Sequence, residues 1–338
     1  GLPKCDNPAE KRFPLTPEAV GVLTRNGFVV SMQQGAADSI HYGDNAYVKA
    51  GARIVTRRVA LQADIVIHLA PLDVVDLRQL RRGALLLSLA NFNRKQAVEV
   101  VDELVKRHII NIAIDLISDE HGNHPFGDIL SEINGRSAMT IAAAMLADPI
   151  NGKGILLGGI AGVIPCEVTV IGSCLAAMAA ARSAMGLGAV VRLFDDDVYR
   201  LRTALRQLGG GVIGSSVHPH ALENALRTAD VIVVSDRSKS LPVEGKMECL
   251  LKRRVLVFDL SVTPGLAFPA MKQVDLGEID AAIPGAISSF ALYNSSAAEA
   301  GYSRTCFVNS GSAVPRTTAM ALSDTFITLL GQIAGCEG

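Results

Sequence analysis

A strand-like run, Val168 to Ile171, leads into Gly172-Ser173-Cys174-Leu175-Ala176-Ala177. A second run, Val190 to Phe194, ends in three carboxylates, Asp195-Asp196-Asp197. A strand, a tight glycine turn and a helix N-terminus make the cradle that holds a pyrophosphate in dinucleotide-binding units, and an acid roughly 20 residues further on takes the ribose hydroxyls. Asp195 lies 23 residues after Gly172, so Gly172 and Asp195 are the candidate nucleotide-binding residues. The loop departs from G-x-G-x-x-G at its middle position, where Cys174 places a Cβ and a sulfur in the path by which bare backbone approaches the phosphates. Two readings follow: a weakened or displaced dinucleotide site, and a domain of the same shape that binds no dinucleotide. Cys174 also sits where a helix dipole lowers a thiol pKa. No partner base is in view, so it reads as a packed thiol.

The histidines give one further candidate. His68 lies in the apolar run Asp64 to Leu69, two residues from Ala70 and so on the same face of a strand. An imidazole there can titrate near neutral pH, or it is a satisfied histidine at the edge of a core. His121 and His124 fall in a turn-type sequence, as do His218 and His220. Neither pair has companion ligands at a zinc-like spacing, so both read as solvated turns and no metal is expected. Lys252-Arg253-Arg254 reads as a solvated helix end.

The elements that position these residues form a repeating pattern. Phe28 to Met32, Asp64 to Leu69, Ala84 to Leu89 and Ile109 to Ile114 are short apolar runs of buried-strand type. Thr16-Pro17-Glu18 opens a helix that ends before Gly27, and Asp73 to Arg82 and Arg94 to Arg107 have helical spacing. The alternation resumes with strands at Val168 to Ile171, Val190 to Phe194, Val231 to Val234 and Val255 to Leu260. Helices are expected at Leu175 to Leu187, Val198 to Leu208 and Pro219 to Thr228. The glycine-rich stretch Asn151 to Pro165 between the two halves reads as a loop or hinge. Ala313 to Ala334 reads as a long apolar helix entered through Pro315. The fold class is therefore α/β, with two Rossmann-like, doubly wound parallel-sheet domains and a cleft between them. The expected division is a discontinuous substrate domain, residues 1–130 plus 300–338, and a dinucleotide-type domain, residues 131–299.

Composition narrows the function classes. The 338 residues carry 32 Lys+Arg against 33 Asp+Glu, with 49% hydrophobic residues and no Trp. A near-neutral chain lacks the basic field of a nucleic-acid-coating protein. The longest charge-free run, Ala281 to Ala298, is broken by Pro284, Gly285, Asn294 and serines, so no membrane span is expected. Six dispersed cysteines without ribbon or C-x-x-C spacing suit reduced thiols and a cytoplasmic location.

Four stretches carry a resemblance to a known family: Gly1-Leu-Pro-Lys with Glu10-Lys-Arg-Phe-Pro-Leu-Thr-Pro17, Leu130-Ser-Glu-Ile-Asn-Gly-Arg136, Lys153-Gly-Ile-Leu-Leu-Gly-Gly-Ile-Ala-Gly-Val163, and Val308-Asn-Ser-Gly-Ser-Ala-Val-Pro-Arg-Thr317. Over essentially its whole length the chain resembles alanine dehydrogenase and the α subunit of pyridine-nucleotide transhydrogenase. The resemblance implies NAD-linked oxidative deamination of a small L-amino acid to its 2-oxo acid. It implies Arg12 as the cation that holds the substrate carboxylate, Asn309 as an active-site residue, and Ser131 beside Gly172 and Asp195 as cofactor-binding residues. It also implies a homo-oligomer, with hexamers common in the family.

The family's other chemical positions differ in this chain. Its catalytic Lys corresponds to Ala70, its catalytic His to Asn91, and the later Asp of its D-x-x-x-D-Q-G-G segment to Thr263, while the upstream Asp is kept as Asp259. His68 is then the remaining acid–base candidate beside Asn309. Loss of one general acid or base typically costs ~10²–10⁴-fold in rate. The alternative function is a catalytically silent member that binds a small carboxylate or builds an assembly, alone or with an active paralogue. A transhydrogenase-type nucleotide module ranks behind both, because it needs a membrane partner.

Overall fold

The computed structural model describes residues 1–90, 98–150, 152–236, 248–262, 264–279 and 305–335. Asn91 and Thr263 lie outside the described residues. In chain order the elements are α1 (Pro17–Arg25), β1 (Ser31–Gln33), α2 (Asp44–Lys49), β2 (Arg53–Val55), α3 (Arg57–Leu61), β3 (Ile65–Ile67), α4 (Val74–Leu77), β4 (Leu85–Ser88), α5 (Val98–Lys106), β5 (Ile110–Ala113) and α6 (Pro125–Ala147). They continue with β6 (Glu167–Ile171), α7 (Leu175–Gly186), β7 (Val190–Asp195), α8 (Val198–Leu208), β8 (Val212–Ser216), α9 (Pro219–Thr228), β9 (Val231–Val234), β10 (Leu256–Asp259), β11 (Lys272–Asp275), β12 (Thr305–Val308) and α10 (Pro315–Gly335). The chain divides into two compact units, residues 1–130 with 314–338, and residues 131–313.

In the first unit β1 pairs with β2, and β3, β4 and β5 pair in that order, all parallel. The opening residues lie between the two groups: Leu2 bridges Met32 in parallel, and the Ile67 N–H donates to the Gly1 carbonyl. Alternation along the strands sends side chains to two layers. Ile67 and Leu87 enter a core completed by α1 and by Ala319, Leu322, Phe326 and Leu330 of α10, whereas Val66 and Leu86 pack with Leu61, Leu72, Leu77 and Leu80. Thr16 caps α1, its Oγ1 accepting from the Ala19 N–H at 3.4 Å, and its own N–H donates to Ser323 Oγ of α10 at 3.0 Å.

The helical spacing of Asp73 to Arg82 yields only the single turn α4. Its continuation tightens into i→i+3 bonds, Gln79 N–H to Asp76 O and Leu80 N–H to Leu77 O, which swing the chain into β4.

The second unit holds a seven-stranded sheet in the order β11-β12-β10-β9-β6-β7-β8, every pair parallel. Strand order reverses between β6 and β9, the doubly wound arrangement in which ligands sit outside the strand C-termini at the reversal. Val168, Val170, Val231, Val233 and Phe258 face one core; Ile171, Ile232, Val234 and Val257 face the other. α6 passes α7 closely, because Gly135 has no side chain. A Cβ there would lie 2.1 Å from the Ala176 carbonyl oxygen and 2.9 Å from Ala179 Cβ. Lys252 is not simply solvated: its Nζ lies 3.2 Å from Asp230 Oδ1, opposite Lys153 at 3.0 Å.

Candidate functional site

The second unit builds its candidate site where β6 ends. Gly172 turns the chain at φ +99°, and a Cβ there would lie 2.5 Å from Ser235 Oγ. The glycine is thus required by the loop after β9, on the other side of the strand-order reversal. Cys174 is the N-cap of α7 and makes no side-chain cap bond. Its half-buried side chain packs against the core that contains Val168, Val170 and Ala177. Asp195 ends β7 with 0% exposure. Its Oδ2 accepts from Ser173 Oγ at 2.5 Å and its Oδ1 from the Asp197 N–H at 2.8 Å, with Arg200 Nη2 3.8 Å away. The carboxylate is spent on tying the glycine turn to the end of β7. Ser173 supplies that tie, and only its position inside the loop could have pointed to it in the sequence.

Asn309 follows β12 in a left-handed conformation, φ +56°. Its Nδ2 donates to Asp275 Oδ1 at 3.0 Å, and short polar residues tolerate this region best. Next to it the two motifs around Asn134 and Gly311 meet. The Gly311 N–H donates to Asn134 Oδ1 at 2.8 Å, and Ser310 Oγ to the Asn134 carbonyl at 2.8 Å. A Cβ on Gly311 would fall 2.4 Å from Asn134 Oδ1. Ser131, one turn earlier on α6, is half-buried, and its hydroxyl makes no hydrogen bond with a described residue.

In the first unit Arg12 is held by Glu10. Nε donates to Oε1 at 2.7 Å and Nη2 to Oε2 at 2.5 Å, with side-chain exposures of 10% and 6%. The Glu-x-Arg spacing is legible in the sequence; that the two side chains lock together is not. His68 directly follows β3 and is 5% exposed. Its Nδ1 lies 2.6 Å from the Ala70 carbonyl, an acceptor, so the proton sits on Nδ1 and Nε2 carries the lone pair. That Nε2 is buried and has no hydrogen-bond partner among the described residues. Burial, ahead of the Ala70 bond that opposes it, holds the His68 pKa below its ordinary value; Arg57 pushes it the same way, and Asp76 and Glu10 push it back. His68 therefore lies within electrostatic reach of Glu10 and of the Arg57–Asp76 fork. In that fork Arg57 Nε donates to Asp76 Oδ1 at 2.9 Å and Nη1 to the Lys4 carbonyl at 2.7 Å. Nothing in the sequence marks Arg57, whose neighbours Arg58 and Val59 give no sign that one of the three turns inward. Ala70, at the position implied for the catalytic Lys, is buried.

Among the described residues no group of three or more His, Cys, Asp or Glu is placed to hold a metal, and no helix is long and apolar enough to cross a membrane.

Fold and loops together define a two-unit α/β protein whose second unit has the doubly wound, nucleotide-type sheet. Sequence profiles of the alanine dehydrogenase/PNT N-terminal and C-terminal domains match residues 1–133 and 138–275, and the chain belongs to this family. An alanine dehydrogenase of Geobacillus stearothermophilus is 28% identical over 340 aligned positions, covering 99% of this chain and 87% of that protein. One of Mycolicibacterium smegmatis matches with the same identity and coverage. Among solved structures an L-alanine dehydrogenase superposes with a TM-score of 0.80 at 22% identity, covering 99% of this chain and 89% of its own. A transhydrogenase from Sinorhizobium meliloti gives 0.76 at 20%, covering 98% and 93%. At these identities the superpositions establish the shared fold.

Proposed function

We propose that this chain binds a small L-amino acid or its 2-oxo acid in the first unit and a nicotinamide dinucleotide in the second, as an alanine-dehydrogenase-like oxidoreductase with a rearranged acid–base set. The observation that carries this reading is that the first unit holds both an oriented guanidinium, Arg12, fixed by Glu10, and a buried His68 Nε2 with no hydrogen-bond partner among the described residues. Glu10 fixes one edge of the Arg12 fork, and a fixed planar fork suits a carboxylate better than a mobile ammonium does. His68, neutral and with its lone pair on Nε2, accepts a hydrogen bond from the substrate ammonium and holds the proton that leaves when the amine becomes an imine.

The second unit fits a dinucleotide in outline. Gly172 turns at the strand-order reversal, α7 begins one residue after Cys174, and the thiol rests on the core. Gly172 and Ser131 would line the cofactor, with Asp195 acting on the ribose through the loop it organises. NAD, when bound, supplies hydride acceptance and donation. Asn309, set by Asp275, is the orienting amide. Exposed apolar residues in the loop before β6, among them Ile160 and Ile164, support self-association into a homo-oligomer.

The test is NADH fluorescence together with an alanine/pyruvate assay on wild type, Arg12→Lys and His68→Gln. Turnover that falls about 10²-fold or more in His68→Gln supports the reading. No NADH binding at millimolar cofactor refutes it. A second reading, a silent small-carboxylate-binding member, is favoured by one observation: the position implied for the catalytic Lys is a buried alanine. NADH binding without turnover, with pyruvate binding lost in Arg12→Lys, selects it.

A further inference from the structure

We propose that the first unit carries a second anion site, an arginine groove that binds a phosphoryl-bearing anion. The groove has a volume of about 670 Å³ and is lined by Arg58, Gln62, Arg78, Leu80, Arg81 and Arg107, with Gln79 beside them. Its arginines come from three segments: α3, the turn between α4 and β4, and the residue after α5. All lie on the entry side of β3, β4 and β5. His68 follows the opposite end of β3, so the groove is separate from the candidate substrate residues.

The array is built rather than merely crowded. Glu103, a buried carboxylate, lies beneath it, taking Arg107 Nε at 2.9 Å and facing Arg78 Nε at 3.5 Å. Arg107 Nη1 donates to the Leu80 carbonyl at 3.0 Å. Arg81 pairs with the exposed Asp64. Arg58 makes no hydrogen bond or ion pair with any described residue. Two carboxylates therefore face four guanidiniums, and two positive charges are left over. Glu103 is held ionised: its hydrogen bond from Arg107, first, and the Lys106 and Arg78 charges keep its carboxyl below the usual range.

Guanidinium forks and an amide from Gln62 match the three acceptor oxygens and double charge of a phosphoryl group; a monocarboxylate offers two oxygens and a single charge. An extended polyanion fits less well. The four guanidiniums line one concavity on a chain of net charge −1, and no aromatic lines it for base stacking.

Calorimetric titration of the full chain with inorganic pyrophosphate, inorganic phosphate and acetate tests this. Pyrophosphate is expected to bind most tightly, phosphate more weakly and acetate not measurably. Arg58→Glu, which breaks no hydrogen bond or ion pair with a described residue, should weaken pyrophosphate by about tenfold or more with an unchanged melting temperature. Arg81→Ala provides an independent second variant that should weaken it likewise. No heat at millimolar pyrophosphate overturns the proposal, as does equal affinity for acetate or equal affinity in Arg58→Glu. Competition by saturating NADH, with Arg58→Glu unaffected, also overturns it by moving the anion to the Gly172 loop. Displacement of pyrophosphate by an oligonucleotide with a steep salt dependence overturns it in favour of a nucleic-acid surface. None of these outcomes depends on amino-acid turnover.

Discussion

At the scale of single residues, His68 makes a prediction about stability that is independent of any activity. Its folded pKa lies below the unfolded value of about 6.5, because burial disfavours the imidazolium. Between the two values the unfolded chain binds a proton that the folded chain does not. The stability contributed by neutral His68 is therefore fully present above about pH 6.5 and is lost as pH falls toward the folded pKa. His68→Gln removes that titration, so urea midpoints measured from pH 7.5 down to 5 should fall less steeply in the variant than in wild type. Parallel slopes would show that the imidazole is not buried neutral. The Glu10–Arg12 pair makes the complementary prediction. Arg12→Ala leaves a buried carboxylate without its partner and should cost about 3–5 kcal/mol. The double change Glu10→Gln with Arg12→Met should restore most of it, as read by urea denaturation.

Helices and strands were legible where burial imposes a simple pattern. The strands β3, β4, β6, β7, β9 and β10 are apolar runs bounded by turns, because a parallel sheet covered on both faces demands such runs. β8, with Gly214 and two serines at its end, and β11, with Lys272 and Gln273 exposed at the sheet edge, carry no such run. β12 is short, and its Thr305 and Cys306 are small and mixed in polarity. The 23-residue α6 is not legible for a different reason. Gly127, Asn134 and Gly135 look like turn residues, yet Gly135 is where α7 approaches and Asn134 is where the 310–311 turn docks. Those requirements belong to tertiary neighbours, and no local rule reports them. Of the site, Gly172 was legible by type and spacing, whereas Arg12 was pointed to only by the family resemblance. The Ser173–Asp195 tie and the Arg57–Asp76 fork were not legible, because each joins residues about twenty positions apart. Gly135→Ala tests the helix contact directly. With a Cβ 2.1 Å from the Ala176 carbonyl, overpacking should cost about 1–3 kcal/mol and lower the thermal midpoint, whereas Gly186→Ala, whose Cβ meets nothing within 4 Å, should not.

For the whole molecule, the informative segment is the loop before β6. It is anchored, since a Cβ on Gly158 would lie 2.0 Å from the Leu187 carbonyl, and it ends in a tight turn. The Val163 N–H donates to the Ile160 carbonyl at 2.9 Å, with Gly162 at φ +87°, the geometry that demands glycine at the third turn position. The loop displays Leu156, Ile160, Val163 and Ile164 to solvent, Ile164 at 89% exposure. A fixed backbone with apolar side chains turned outward is costly for an isolated chain and ordinary for a covered one. Homo-oligomers close through such self-complementary patches. Light scattering on the wild-type chain should therefore give a mass several times 35.6 kDa. Ile160→Lys with Ile164→Lys should lower that mass without unfolding the chain, because both positions are already solvated in the single subunit and a charge there meets no core. A wild-type mass of one subunit, or an unchanged assembly in the double lysine variant, removes this loop as the contact. Disassembly accompanied by loss of NADH binding would go further. It would mean that the turn supports the nucleotide loop through a neighbouring subunit rather than through the β6 strand it precedes.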